Sequence, residues 1–202
     1  MCDYNVFRKD RVNGKGGGVL MYVKSNINCH QIEMPIDIDL ECVMVNISLS
    51  DKMSFIVICI YRKPTAKIEF YDQLKALLKS LNHKKEIILI GDFNVNWDNK
   101  KDRKNLKSIT DSFNLLQLID QPTRLTNLSK TKIDLLFSNK PERITKTYNL
   151  ITGLSDHNMI FLSRKLSKNR LLNSHKPLSK KPPTLISSQK ICNKTLTKLL
   201  GS

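Results

Sequence analysis

Residues 89–98 read LIGDFNVNWD. Together with Glu86, Ile87 and Ile88 they make an apolar run that stops at Gly91-Asp92-Phe93-Asn94 and gives way to a polar loop. The run is short and rich in isoleucine, which predicts a strand over 86–92 buried on both faces. The two-residue period of a strand puts Asp92 and Asn94 on one side. Taken alone, Gly-Asp-x-Asn is also an ordinary turn sequence. At the exit of a buried strand, however, a carboxylate and a carboxamide are held rigidly enough to do chemistry.

The same alternation of runs and turns extends in both directions. GVLMYVK (18–24), VMVNISL (43–49) and SFIVICIY (54–61) are short, β-branched and bounded by polar turns, as strands are. Residues 50–53 make a hairpin-length connection between the last two. In 67–82, Ile68, Tyr71, Leu74, Leu77, Leu78 and Leu81 recur at helical spacing. A second helix is predicted over 102–118, with Leu106, Ile109, Phe113 and Leu116 on one face. Strands follow at 132–139, 147–151 and 158–164. Residues 1–15 are polar and predict no strand. This mixture gives an α/β (α+β) class with helices covering sheets.

The chain has 202 residues, 40% apolar and 26% charged, which suits a globular core rather than a disordered chain. No apolar run reaches the roughly 18 residues that cross a bilayer, and MCDYNVFRKD has no signal-peptide core. An intracellular protein is expected. Its five cysteines are widely spaced with no Cys-x-x-Cys pair, which argues against a zinc site or a disulfide framework. The net charge is +16, and after Asp156 there are ten Lys or Arg and no acidic residue. Such a surplus suits a polyanion such as nucleic acid, although a merely solvated basic linker has the same composition. Residues 166–202, with HKPLSKKPPTL, form core poorly and read as a basic linker or disordered tail after a domain at 1–165.

Polar groups gather where strands end. Tyr61-Arg62 follows FIVICI, Asp92 and Asn94 follow IILI, Asp134 opens IDLLFSN, and Ser155-Asp156-His157 precedes MIFL. Each is explicable singly as a turn, a cap or a strand-end aromatic. Four in succession predict one rim on which they converge.

The stretches GGGVLMYVK, IYRKP, LIGDFNVNW, PTRLT, KIDLLFSN and GLSDHNMIF resemble the endonuclease/exonuclease/phosphatase superfamily. Within it they are similar to the apurinic-type endonuclease domain of non-LTR (LINE-like) retrotransposons. The resemblance covers about residues 4–165. It implies a four-layer sandwich of two β-sheets flanked by helices, deoxyribonuclease-like, and a Mg²⁺-dependent phosphodiester hydrolase that nicks DNA, with Mn²⁺ as an alternative metal. Hydrolysing a phosphodiester needs an activated water, a cation and a donor to the phosphate. By the resemblance Asp92 orients and deprotonates the water, Asn94 holds that water or a phosphate oxygen, and His157, supported by Asp134, donates to the phosphate. Asp156 and Asp92 are the implied metal ligands. Tyr61 and Thr123 are the implied substrate contacts.

The family pattern opens with an Asn-bearing and a Glu-bearing strand ahead of the GGGV segment, and neither is found here. Glu33 and Glu41 come too late in the order to substitute. The expectation is therefore a domain missing its first strands, with weakened or absent activity, a reverse transcriptase downstream in an intact element, and nuclear location. A phosphatase of the same superfamily and an inactive nucleic-acid-binding remnant are the alternative readings.

Overall fold

The computed structural model describes residues 3–11, 16–50 and 53–165. All of them belong to the unit Met1–Lys165. The reading of 166–202 as a linker falls outside the described residues.

The strands are β1 (Tyr4–Lys9), β2 (Val19–Lys24), β3 (Asn28–Gln31), β4 (Glu41–Ser50), β5 (Met53–Tyr61), β6 (Glu86–Asp92), β7 (Leu116–Gln117), β8 (Arg124–Leu125), β9 (Lys130–Thr131), β10 (Asp134–Ser138), β11 (Ile144–Leu150) and β12 (Met159–Arg164). Helix α1 spans Glu69–Ser80 and α2 spans Lys104–Ser112. The central sheet has six strands in the order β3-β4-β5-β6-β10-β7. Only β5 and β6 are parallel, joined through α1. Hairpins β1–β2, β8–β9 and β11–β12 are separate two-stranded sheets. The expected mixed α/β class holds.

Helix α1 forms because Phe70, Tyr71, Leu74, Leu77 and Leu78 fall on one buried face. Glu69 and Asp72 in its first turn and Lys79 in its last complement the helix dipole. Its stripe packs with Leu106 and Ile109 of α2 on one side of the central sheet, against Met44, Ile58, Ile60, Leu89 and Leu135. The opposite side of β4 offers Val43, Val45 and Ile47, which are covered by Val19 and Val23 of β2. Strand β4 is buried on both faces, which is why VMVN lacks alternation.

Two expectations fail for local reasons. Residues 4–9 form β1, although the N-terminal stretch predicts no strand. In β1 only Phe7, opposite Met21, packs against the core, so the strand is fixed by pairing with β2 rather than by its own pattern. The second helix ends at Ser112, not at 118. Asn114 takes φ +55°, and the Leu115 N–H bonds back to the Thr110 carbonyl at 2.8 Å, which closes the helix in a left-handed turn.

One buried carboxylate ties the periphery to this frame. Glu86, at the start of β6, is 1% exposed. It accepts from Arg164 of β12 at 2.7 and 2.9 Å and from Arg143 at 3.2 Å. The Arg164 guanidinium also lies 4.6 Å from the Phe55 ring centre.

Candidate active site

Four polar residues occupy one cross-strand row. Glu41 of β4 is the register partner of Tyr61, Tyr61 of Asp92, and Asp92 of Asp134. Register partners share a face, so these side chains stand side by side on the face opposite the helices. Strands β5 and β6 end here, and antiparallel β10 begins here.

Each residue of Gly91-Asp92-Phe93-Asn94 has a distinct job. Gly91 has φ +156°, and a Cβ there would run into the Ile60 carbonyl. Only glycine lets β6 approach β5 so closely. Phe93 is fully buried and meets Phe137 edge to face at 5.6 Å, anchoring the exit of the strand. Asn94 has φ +47°, a left-handed conformation that asparagine tolerates. It therefore turns back on Asp92 rather than continuing the strand alternation predicted from sequence. Its backbone N–H donates to Asp92 Oδ1 at 2.9 Å, and its Nδ2 donates to Asp92 Oδ2 at 3.2 Å and to the Arg62 carbonyl at 2.8 Å.

Arg62 supports this turn from beneath. It is 8% exposed, donates to the carbonyls of Ala66 at 2.6 Å and Asn94 at 3.4 Å, and lies against the rings of Phe70 and Tyr71. Its role was not assigned from sequence, although its place in IYRKP, beside Tyr61, marks it.

Asp92, Asp134 and His157 come together, with one ligand atom from each lying within 4.8 Å of the others. His157 Nδ1 is 3.0 and 3.1 Å from the two Asp134 oxygens. Nδ1 is thus engaged, and Nε2 is the nitrogen left for another partner. Burial and the nearby Asp134 charge push the Asp92 carboxyl above the usual range, against the opposing pull of the Asn94 amide, His157 and Arg124. Crowded, partly desolvated carboxylate oxygens are the donor set a hard divalent cation prefers, so the residues fit Mg²⁺ or Mn²⁺. The imidazole is a poor ligand for such an ion and is already paired with Asp134.

The remaining residues lie around this cluster. Thr123 does not reach it as a substrate contact. It is fully buried, and its hydroxyl accepts from the amides of Ile133 at 3.1 Å and Asp134 at 2.9 Å. It fixes the start of β10 instead. Asp156 pairs with Arg124, whose Nε donates to Asp156 Oδ2 at 2.7 Å. That hydrogen bond holds the Asp156 carboxyl below its ordinary range. Arg124 also forms a backbone bridge with His157 and was missed in the sequence reading. Beyond Tyr61, Glu41 accepts from Arg11 at 2.8 and 3.1 Å and from the Gly18 N–H at 2.6 Å, with Lys63 at 3.5 Å. Burial works to raise Glu41, but these donors outweigh it and lower its proton affinity.

The fold is similar to that of several solved proteins. The endonuclease domain of TRAS1, a telomere-specific non-LTR retrotransposon, superposes with a TM-score of 0.68 at 17% identity, covering 82% of this chain and 81% of that one. An endonuclease/exonuclease/phosphatase family protein from Leptotrichia buccalis gives 0.59 at 16% identity, covering 81% and 72%. A mannosyl-6-phosphatase from Bacteroides thetaiotaomicron gives 0.53 at 15%, covering 81% and 78%. No curated protein matches. Residues 55–161, from β5 to β12 and including Tyr61, Asp92, Asp134 and His157, match the family model described as endonuclease–reverse transcriptase. The chain belongs to the endonuclease–reverse transcriptase family.

Proposed function

We propose that this chain is a metal-dependent phosphodiester hydrolase acting on DNA. The observation that carries the reading is the His157–Asp134 pair, at 3.0 Å, set beside an Asp92 of raised proton affinity. A cleaved phosphodiester needs a base for water and a donor for the phosphate, and these two groups are suited to opposite proton tasks.

Asp92 takes the water. Its oxygens each already accept one hydrogen bond from Asn94, which fixes the carboxylate plane and leaves lone pairs toward the open side of the row. A raised proton affinity makes it a better base than an ordinary carboxylate. His157 presents Nε2 to the phosphate as the donor, because Asp134 engages Nδ1 and fixes the orientation of the ring. Tyr61, on the neighbouring strand in register with Asp92, is assigned a hydrogen bond from its hydroxyl to a phosphate oxygen in this reading. Asn94 Oδ1 and Asp92 together hold the water. A bound Mg²⁺ or Mn²⁺ would be held by Asp92 and supplies compensation for the growing phosphate charge.

DNA is favoured as the substrate by the +16 net charge and the ten cations after Asp156. The family match supports a nucleic-acid substrate. With that substrate goes, in this reading, a reverse transcriptase partner in an intact element and action in the nucleus. No described helix is long and apolar enough to cross a membrane. The test is nicking of supercoiled plasmid with Mg²⁺, with and without EDTA, for the wild type, Asp92→Ala and His157→Ala. Metal-dependent nicking lost in both variants is expected. Salt-sensitive binding without nicking supports an inactive binding protein, and phosphate release from soluble sugar or inositol phosphates supports a phosphatase.

A further inference from the structure

We infer that Arg124 is a substrate-binding residue that grips a backbone phosphate of the polynucleotide, and that Asp156 orients it. The inference rests on the reading of this rim as a phosphodiester site.

The placement comes first. Arg124 and His157 are antiparallel bridge partners, so their side chains leave the backbone on the same side. The bridge is firmly set: the Leu125 N–H donates to the Asp156 carbonyl at 2.8 Å and the Asn158 N–H to the Thr123 carbonyl at 2.7 Å. Thr123, one residue earlier, points inward and fastens the amide of Asp134. The chain entering β8 therefore carries a buried clamp at Thr123 and, at Arg124, a guanidinium beside the catalytic imidazole.

The chemistry of the guanidinium comes second. Arg124 donates to Asp156 through Nε alone, and neither Nη has a partner among the described residues. Its side chain is 42% exposed. A guanidinium held by Nε presents its Nη pair as a fork, the geometry that matches two oxygens of a phosphate. The charge also falls within reach of Asp92, whose ionised form it favours.

The need comes third. Asp92, Asp134 and Asp156 place three carboxyl groups on a rim that must receive an anion. Among the described residues, Arg124 is the arginine bonded to one of these three carboxylates. This gives Asp156 a job that requires no metal, since its carboxylate sets the direction of the fork.

The test uses the full chain and two measurements. The first is binding of a fluorescently labelled DNA duplex in EDTA across a salt series, and the second is Mg²⁺-dependent nicking of supercoiled plasmid. Arg124→Met should weaken binding in EDTA about tenfold and reduce the salt slope by about 0.9, the share of one phosphate contact. In nicking, KM should rise more than kcat falls, and Arg124→Lys should recover only part of the affinity, since a lysine keeps the charge but not the fork. Lys75→Met is the control. It removes the same charge from the exposed face of α1, on the other side of the sheet, and should change affinity less than twofold. Equal losses for Arg124→Met and Lys75→Met would overturn the proposal, because only net charge would then matter. It is also overturned if Arg124→Met lowers kcat while binding in EDTA is unchanged, since Arg124 would then act only by supporting its neighbours. A wild type that binds duplex but never nicks sinks the hydrolase reading and leaves the binding comparison to decide on Arg124. A wild type with no affinity for duplex at low salt overturns both.

Discussion

Asp92 and Asp134 are register partners on adjacent antiparallel strands, with both side chains on the same face of the sheet. Two carboxylates are thereby held in contact range by the backbone itself. Burial and this neighbour raise Asp92 above the ordinary carboxylate range. Its folded-state proton affinity therefore exceeds that of the unfolded chain, and ionised Asp92 works against folding at neutral pH. Asp92→Asn should melt higher than the wild type at pH 7 and lose nicking. The difference in melting should shrink as pH falls through the raised value and vanish below the ordinary range. Thermal unfolding across pH checks this, and a gap that widens on acidification would count against it.

His157 and Asp134 act as one unit if Nδ1 is held as the geometry shows. Asp134→Asn should cost about 10²–10⁴ in nicking rate, the range of general acid–base catalysis. The double variant Asp134→Asn/His157→Ala should be little worse than His157→Ala alone. Fully multiplicative losses in single-turnover nicking would mean that the two side chains work separately.

Gly91 allows β6 to lie against the Ile60 carbonyl. Gly91→Ala adds a clash at an unfavourable φ and should destabilise the fold by more than about 1 kcal/mol. Because the strand must shift, Asp92 moves with it, and nicking should fall further than stability explains. Urea unfolding together with plasmid nicking separates the two effects.

Glu86 is fully buried between Arg164 and Arg143. Glu86→Ala leaves the nearly buried Arg164 without a counter-charge, which should cost about 3–5 kcal/mol. Replacing Arg143, whose side chain is 41% exposed, should cost much less. Chemical denaturation of both variants gives the comparison, and equal losses would contradict the burial argument.

The elements with a strong local signal were legible from sequence: α1 by its helical spacing, and β4, β5 and β6 by short apolar runs rich in β-branched residues, all close to their expected bounds. That signal is local, since a buried helix face writes itself into residue spacing and a doubly buried strand into an unbroken apolar run. Strand β1 was invisible because one side chain, Phe7, carries its packing. The early end of α2 was missed because its cause is one left-handed residue, Asn114. Residue type at strand ends picked out Asp92, Asp134 and His157, which the structure brings together, but it carried no information on depth. Thr123 looked like a contact and proves to be a buried clamp. Arg124, quoted only within PTRLT, received no role, because its bridge to His157 and its bond to Asp156 join segments far apart in the chain.

Strand β6 runs parallel to β5 but antiparallel to β10. Asp92 is thus the last residue of its strand and Asp134 the first of its own. The intervening chain, 93–133, leaves from and returns to one rim. A turn such as Thr126–Ser129, at the tip of β8–β9, can gain or lose residues without moving either carboxylate. What the molecule touches can change at that turn while the strand register keeps the spacing of the charged pair.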